Sequence, residues 1–357
     1  MNSRKETRAI WTIVAIAFLL RVLQAGLRYD EIALAYAAYQ EPFEASFPGD
    51  LLGMLTCFHG LHPPLYSLCF SLLNAIWAAP ASWLLFSAAC SAAAVGLIGR
   101  LGGPAAAAIL AVDPLQVAYA GEINNYPLLV LEVSALLFFT DRALKGGSSR
   151  GLLVVGILAG WTHVLGGVVF GACLIRLFFR ERGQAIRVGS VALLFCLPVI
   201  WTLLELSGSG STYSQAGWQW SEVAMGLYEK IGWWWLLILP AIVGARRHER
   251  ALGVWTLGLF VVVVGLIAIG VAAPHQQPYW LILGPSLALL VASNRGLLPW
   301  FLSALSLLSL LGPLWSRSTD IRDDLARERA IDRALSEAGF MDAHRQAQQD
   351  RRSESVR

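Results

Sequence analysis

The chain has 357 residues, of which 56% are hydrophobic and 14% are charged, and its formal net charge is +3. A soluble domain would have roughly 25% charged residues, so the composition excludes an ordinary soluble enzyme. The small net charge argues against nucleic acid as a partner. Apolar stretches of about 15–25 residues recur from Ile10 to Trp315, separated by glycine, proline or short charged clusters, which is typical of a polytopic helical membrane protein.

The first apolar segment, Ile10–Leu27, follows three basic residues within the first eight positions. It has no small-x-small cleavage site before Tyr29, which favours an uncleaved signal anchor. Lys and Arg are retained on the cytoplasmic side, so we expect the N-terminus to be cytoplasmic. Residues 28–64 are too polar to span a membrane and are predicted to form a large outer loop with juxtamembrane helices.

The segments after this loop are predicted to alternate in direction. Leu65–Trp77 has only about 13 residues, which suits a partly embedded helix. Trp83–Ile98 is expected to cross inward and Ala105–Ala118 to return outward, with a helix-breaking turn at Asp113-Pro114. Pro127–Phe139 is then expected to cross inward again.

Leu152–Phe179 allows two interpretations: one long helix or two short spans. One long helix would put basic clusters on opposite faces, whereas a turn at Trp161-Thr162-His163 keeps both clusters inside, which favours two spans. The remaining predicted spans are Val188–Leu206, Trp233–Val243, Val254–Ala272, Tyr279–Val291 and Leu297–Trp315, with an outer loop at 207–231.

The sequence therefore predicts an all-α membrane domain of about eleven crossings over residues 1–316, with an outer C-terminus. Residues 317–357 carry mixed charges and are predicted to be a partly disordered tail. Five cysteines, four of them inside apolar runs, argue against a disulfide framework or a cysteine metal site.

Acids and histidines are concentrated at the predicted outer ends of the spans. Asp30 and Glu31 follow the first span, where a carboxylate beside apolar walls can act as a general base; a solvated pair that ends the helix is the alternative. In His62-Pro63-Pro64-Leu65-Tyr66, the prolines begin a helix whose N-terminus could receive a phosphate, or they form a simple kinked turn.

Two further acids follow. Glu122 provides a second carboxylate at the predicted outer face, between two spans. Glu132 lies inside a span, where an unpaired charge costs about 2.5–3.5 kcal/mol. It could be a structural hydrogen-bond partner, a neutral acid or a direct participant in chemistry.

These elements occur in a recognisable order. Asp30-Glu31 is followed by the His62–Tyr66 element and by a stretch from Pro114 through Tyr119 and Glu122 to Tyr126; a weaker match runs from Pro278 to Pro285. The pattern resembles the GT-C superfamily of integral-membrane glycosyltransferases, in the branch of protein mannosyltransferases and aminoarabinose transferases.

The resemblance implies a GT-C-like bundle in the bacterial inner membrane with its active site on the outer face. The donor would be a sugar linked to polyprenyl phosphate, and the acceptor a hydroxyl of a lipid, glycan or protein. Asp30 would act as general base in an inverting displacement, with Glu31 and Glu122 as further catalytic acids. Some members use a divalent cation and others do not; we predict no metal ligands.

Two positions depart from the family pattern, because Asn124 and Gln277 (or Pro278) stand where arginine is usual. Arg28, His62, His163, Lys230 or His275 could take the place of these arginines. The residues expected to contact the donor are Arg28, His59, His62, Tyr66, Tyr126, His163, His275 and Tyr279. The alternative is a non-catalytic transporter or lipid-binding membrane protein on the same fold. A third interpretation is a polysaccharide polymerase or ligase, which would be expected to have an arginine-rich outer loop. The predicted outer loop at 207–231 contains one basic residue, Lys230.

Overall fold

A computed structural model describes residues 3–26, 63–121, 124–208 and 281–293, with a few helical positions between 258 and 307; side chains are described up to Trp201 in the third range. These residues form no β-strand, which confirms the all-α class. The helices are α1 (Arg4–Gly26), α2 (Leu65–Ile76), α3 (Pro80–Ala111), α4 (Pro114–Tyr119), α5 (Tyr126–Leu144), α6 (Arg150–Thr162), α7 (Val164–Phe178), α8 (Arg182–Gly208) and α9 (Gly284–Ala292). The predicted loops at 28–64 and 207–231, most of the later spans and the tail lie largely or wholly outside the described residues.

Three of these helices, α1, α3 and α8, are long and apolar enough to cross a membrane. Helices α1 and α8 leave large apolar side chains at the surface, including Leu23 at 67% exposure and Trp201 at 66%. Exposed apolar faces of this extent would be unfavourable in water and are typical of contact with lipid. The fold is that of an all-α membrane protein.

Helix α3 is not one straight rod. Its Gly103 has φ 83° and is followed by Pro104. The guanidinium of Arg21 donates to Ser91 Oγ at 2.6 Å and to the Ala111 carbonyl at 3.0 Å, although twenty residues of straight helix would separate these positions by about 30 Å. The chain therefore doubles back at Gly103 into a first arm (80–102) and a second arm (104–111), which confirms the predicted reversal.

A second reversal occurs at His163. The residue is extended (φ −161°, ψ 146°) and separates α6 from α7. The two helices pack as an antiparallel pair, because a Cβ atom on Gly156 would overlap the Phe170 ring and one on Gly166 would overlap the Ala159 carbonyl. The turn predicted at Trp161-Thr162-His163 is confirmed, and the single long helix is wrong.

Gly166 and its neighbour Gly167 offer a matched pair of substitutions. Gly166→Ala should lower the free energy of unfolding by about 1–3 kcal/mol, because the new methyl group meets backbone at Ala159 and the helices must separate. Gly167→Ala should leave stability unchanged or raise it, because no atom lies within 4 Å of its Cβ position. Thermal unfolding of the two variants in detergent tests this; equal melting temperatures would contradict the packing of α6 on α7.

Because the helices reverse direction at these turns, almost all of the described Lys and Arg side chains lie near one end of the bundle. We call the end that contains the N-terminus of α1 and the turns at 103, 145–149 and 179–181 the basic end. Apart from buried Arg21, every described Lys or Arg lies within about two helical turns of it: Arg4, Lys5, Arg8, Arg100, Arg142, Lys145, Arg150, Arg176, Arg180, Arg182 and Arg187. The opposite end contains the C-terminus of α1, residues 119–126 and His163.

Candidate functional site

Ala25, near the C-terminus of α1, is the point at which three segments of the predicted site approach one another. Ala25 is fully buried, and a Cβ atom built on Gly121 would lie 3.2 Å from the Cβ of Ala25. Ala25 also belongs to one buried cluster with Tyr66 and Trp83. Three described segments thus meet at the opposite end of the bundle: the one that precedes Asp30, the one that follows His62 and the one that precedes Glu122. We call this contact region the Ala25 junction.

Most of the predicted site residues lie outside the described residues. This applies to all three predicted catalytic acids, Asp30, Glu31 and Glu122, and to five predicted binding residues: Arg28, His59, His62, His275 and Tyr279. The structure describes the other three binding residues, Tyr66, Tyr126 and His163.

Tyr66 is positioned by an aromatic group at the start of α2 and α3. Pro63 and Pro64 are buried, and Pro64 is the N-cap of α2, as the sequence predicts. The Tyr66 and Trp83 ring centroids are 5.0 Å apart, and Phe70 stacks on Trp83 at 4.8 Å. This packing fixes the orientation of α2, and with it the point at which the chain from His62 enters.

Tyr126 and His163 come together, although 37 residues separate them in the sequence. Their ring centroids are 5.8 Å apart, and Tyr119 meets Tyr126 edge to face at 5.6 Å. His163 is 3% exposed and caps α7, since its Nδ1 accepts from the Leu165 N–H at 3.0 Å. An accepting Nδ1 leaves the ring proton on Nε2 in the neutral form. His163 therefore has a structural task, and its predicted contact with the donor stays a prediction.

The loop before α5 is tied to the His163 break. Asn125 is 3% exposed and donates from Nδ2 to the Thr162 carbonyl at 3.1 Å. Asn124 accepts from the Tyr126 N–H at 3.0 Å. The Asn124 side chain, which stands where the resemblance led us to expect arginine, thus holds the local turn at the start of α5.

Glu132 faces the interior of the bundle. It is 5% exposed, and its Oε1 accepts from the Thr162 hydroxyl at 2.8 Å, which confirms the interpretation as an interhelical hydrogen-bond partner. Its Oε2 has no hydrogen-bond partner among the described residues.

The predicted helix break at Asp113-Pro114 is confirmed. Asp113 caps α4 and accepts from the backbone N–H groups of Leu115 at 3.0 Å and Gln116 at 3.3 Å. The Gln116 side chain donates to the Leu281 carbonyl at 3.0 Å. The described parts of two elements of the sequence pattern, 114–121 and 281–285, are therefore held against each other.

Arg21 is a buried residue that the sequence analysis missed. It is 0% exposed, and besides Ser91 and Ala111 it donates to the carbonyls of Ala17 at 3.0 Å and Leu110 at 3.3 Å. The interruption before α4 leaves the last carbonyls of the second arm of α3 without helical partners, and the guanidinium satisfies two of them. The only sequence signal was a single cation inside an otherwise apolar span.

Within the ranges that the structure describes, no group of three or more His, Cys, Asp or Glu side chains could hold a metal ion. No protein-family model matches the sequence, and none of the curated proteins is significantly similar to it.

Proposed function

We propose that this protein is a glycosyltransferase that moves a sugar from a polyprenyl-phosphate-linked donor to an acceptor hydroxyl, with Asp30 as general base. The observation that carries the proposal is the contact between Ala25 and Gly121. Glu122 directly follows Gly121, and the five residues from Ala25 to Asp30 can extend by at most about 18 Å. Asp30 and Glu122, which are 92 positions apart in the sequence, are therefore both connected by short stretches of chain to the contact between Ala25 and Gly121.

The proposed reaction is a single displacement. Asp30 removes the proton from the acceptor hydroxyl as its oxygen attacks the anomeric carbon. The bond between that carbon and the phosphate oxygen breaks, and polyprenyl phosphate leaves with both bonding electrons. Glu31 and Glu122 position the acceptor. His62 and the N-terminus of α2 stabilise the departing phosphate, because unpaired N–H groups at a helix start attract anions.

The distribution of cations supports an active site on the outer face. Lys and Arg are retained in the cytoplasm, so we place the basic end there and the Ala25 junction at the outer leaflet of a bacterial inner membrane. An isoprenoid donor flipped to that leaflet would present its phosphate and sugar at the same level as the junction.

The test is a transfer assay with purified full-length protein in liposomes and a panel of labelled polyprenyl-phosphate sugars. We expect release of polyprenyl phosphate with at least one donor, and a product whose anomeric configuration, read by NMR, is inverted. A retained configuration would contradict the single displacement. Donor binding without turnover across the panel would favour the alternative of a non-catalytic transporter or lipid-binding protein.

A further inference from the structure

A groove lies between α1 and the first arm of α3, on the side of the bundle that faces lipid. Its volume is about 630 Å³, and apart from one arginine its lining is apolar. Small residues of α3, including Ala89, Ala93 and Gly96, form its floor, and Trp11 and Phe18 of α1 flank it. The small size of these α3 residues leaves the space between the two helices partly unfilled.

The depth of the groove corresponds to one leaflet. Its lining runs from Ala89 to Arg100 on α3, which is about 16 Å of helix. The hydrocarbon core of a bilayer is about 30 Å thick. Since Arg100 lies at the basic end, the groove occupies the half of the membrane next to that end.

The mouth of the groove is cationic. Arg100 is exposed, and its guanidinium lies 6.0 Å from the centre of the Trp11 ring. No acidic residue of the described part of the chain contributes to the lining. Beyond it, the first turns of α1 carry Arg8 and Glu6. A chain-like apolar groove that ends in an arginine beside an interfacial tryptophan matches an anionic headgroup above an acyl chain.

We propose that the groove between α1 and α3 binds one acyl chain of an anionic phospholipid, whose phosphate is held by Arg100. The groove is about 16 Å long, and the cation of its lining, Arg100, lies at the end where the headgroup phosphate would be. The groove opens at the end opposite the Ala25 junction, so its occupant is a resident lipid of the other leaflet and not the proposed sugar donor.

The experiment measures lipid retained by purified full-length protein, using native mass spectrometry after exchange into phosphatidylglycerol or phosphatidylcholine of identical chains. We expect the wild type to prefer phosphatidylglycerol by about fivefold, the contribution of one basic residue near a membrane surface. Arg100→Gln should remove the preference, while Arg150→Gln, an exposed cation at the same end but outside the groove, should keep it.

A second variant separates the chain site from the headgroup site. Ala93 is exposed in the groove floor, so Ala93→Phe should reduce retention of both lipids; Ala89→Leu replaces it if the first variant does not elute as a monodisperse peak. Equal lipid preferences of the Arg100 and Arg150 variants, or unchanged retention in the filled groove, would overturn the proposal. Loss of polyprenyl-phosphate retention in the Ala93→Phe variant would also overturn it, because the groove would then bind the donor. None of these outcomes depends on sugar transfer.

Discussion

Replacing Asp30 with asparagine is expected to abolish sugar transfer while the protein still folds and binds the donor. An amide has nearly the shape of the carboxylate but cannot take the proton from the acceptor hydroxyl. A positioned general base contributes about 10²–10⁴-fold to rate, so kcat should fall by that factor with little change in donor affinity. The measurement is kcat and KM for a polyprenyl-phosphate sugar, with the melting temperature of the same preparation.

Asp141→Asn is the matched control, since it makes the same chemical change near the basic end. Asp141 forms an ion pair with Lys145 at 2.6 Å on the surface, and exposed pairs contribute about 0–1 kcal/mol to stability. We expect transfer in this variant to equal that of the wild type. Full activity in the Asp30 variant, or equal losses in both, would exclude Asp30 as the base.

Helix breaks were the part of the fold that the sequence could predict. Gly103 and Pro104 terminate a helix through their own backbone preferences, and Asp113 before Pro114 is a strong local start signal for α4. The turn at His163 followed from a different rule, because only a reversal there leaves the flanking arginines at one end. The breaks at Gly103 and Asp113 depend on adjacent residues, whereas the turn at His163 depends on basic clusters on both sides of the segment.

The contacts that hold the reversed segments together could not be predicted in this way. Arg21 bonds to Ser91 and to carbonyls that follow it by about 90 positions, and nothing local to Arg21 specifies those partners. The hydrogen bond from Thr162 to Glu132 is similar, because the sequence left three roles open for Glu132 until the packing of α6 on α5 was known. The local sequence limits the roles that Arg21 and Glu132 can have, and the packing of distant helices determines which of those roles each residue takes.

For the candidate site, the sequence predicted which segments matter but not how they meet. The resemblance linked the segments around Asp30, Tyr66 and Glu122 by their order along the chain. The close approach of Ala25 to Gly121 depends on a methyl group and on the absence of a side chain. Neither residue is a signal for a functional site in the sequence. A methyl group on Gly121 would lie 3.2 Å from the Cβ and 3.3 Å from the Cα of Ala25, so α1 would have to shift slightly to admit it. The segments that lead to the predicted site thus meet through residues that carry no reactive group.

Arg21→Met is expected to cause the largest loss of stability among the substitutions considered. The methionine fills part of the space but leaves the carbonyls of Leu110 and Ala111 buried without a donor, and it removes the cation that attracts the Asp113 carboxylate. Leaving a buried acceptor without its donor costs about 1–3 kcal/mol per group, and two such carbonyls amount to a large share of a typical folding free energy of about 5–15 kcal/mol. The yield of monodisperse protein and its melting temperature in detergent should both fall.

Two variants define the cause of that loss. Arg150→Met makes the same change at an exposed position and should retain the wild-type melting temperature, whereas Ser91→Ala removes one acceptor of the guanidinium and should cost less than Arg21→Met. Equal melting temperatures for the Arg21 and Arg150 variants would show that the buried network does not stabilise the bundle. Because Arg21 fixes α1 against the second arm of α3 one turn before Ala25, its loss should also separate the segments that lead to Asp30 and Glu122. Activity and stability should therefore both fall in the Arg21 variant, whereas only activity should fall in the Asp30 variant.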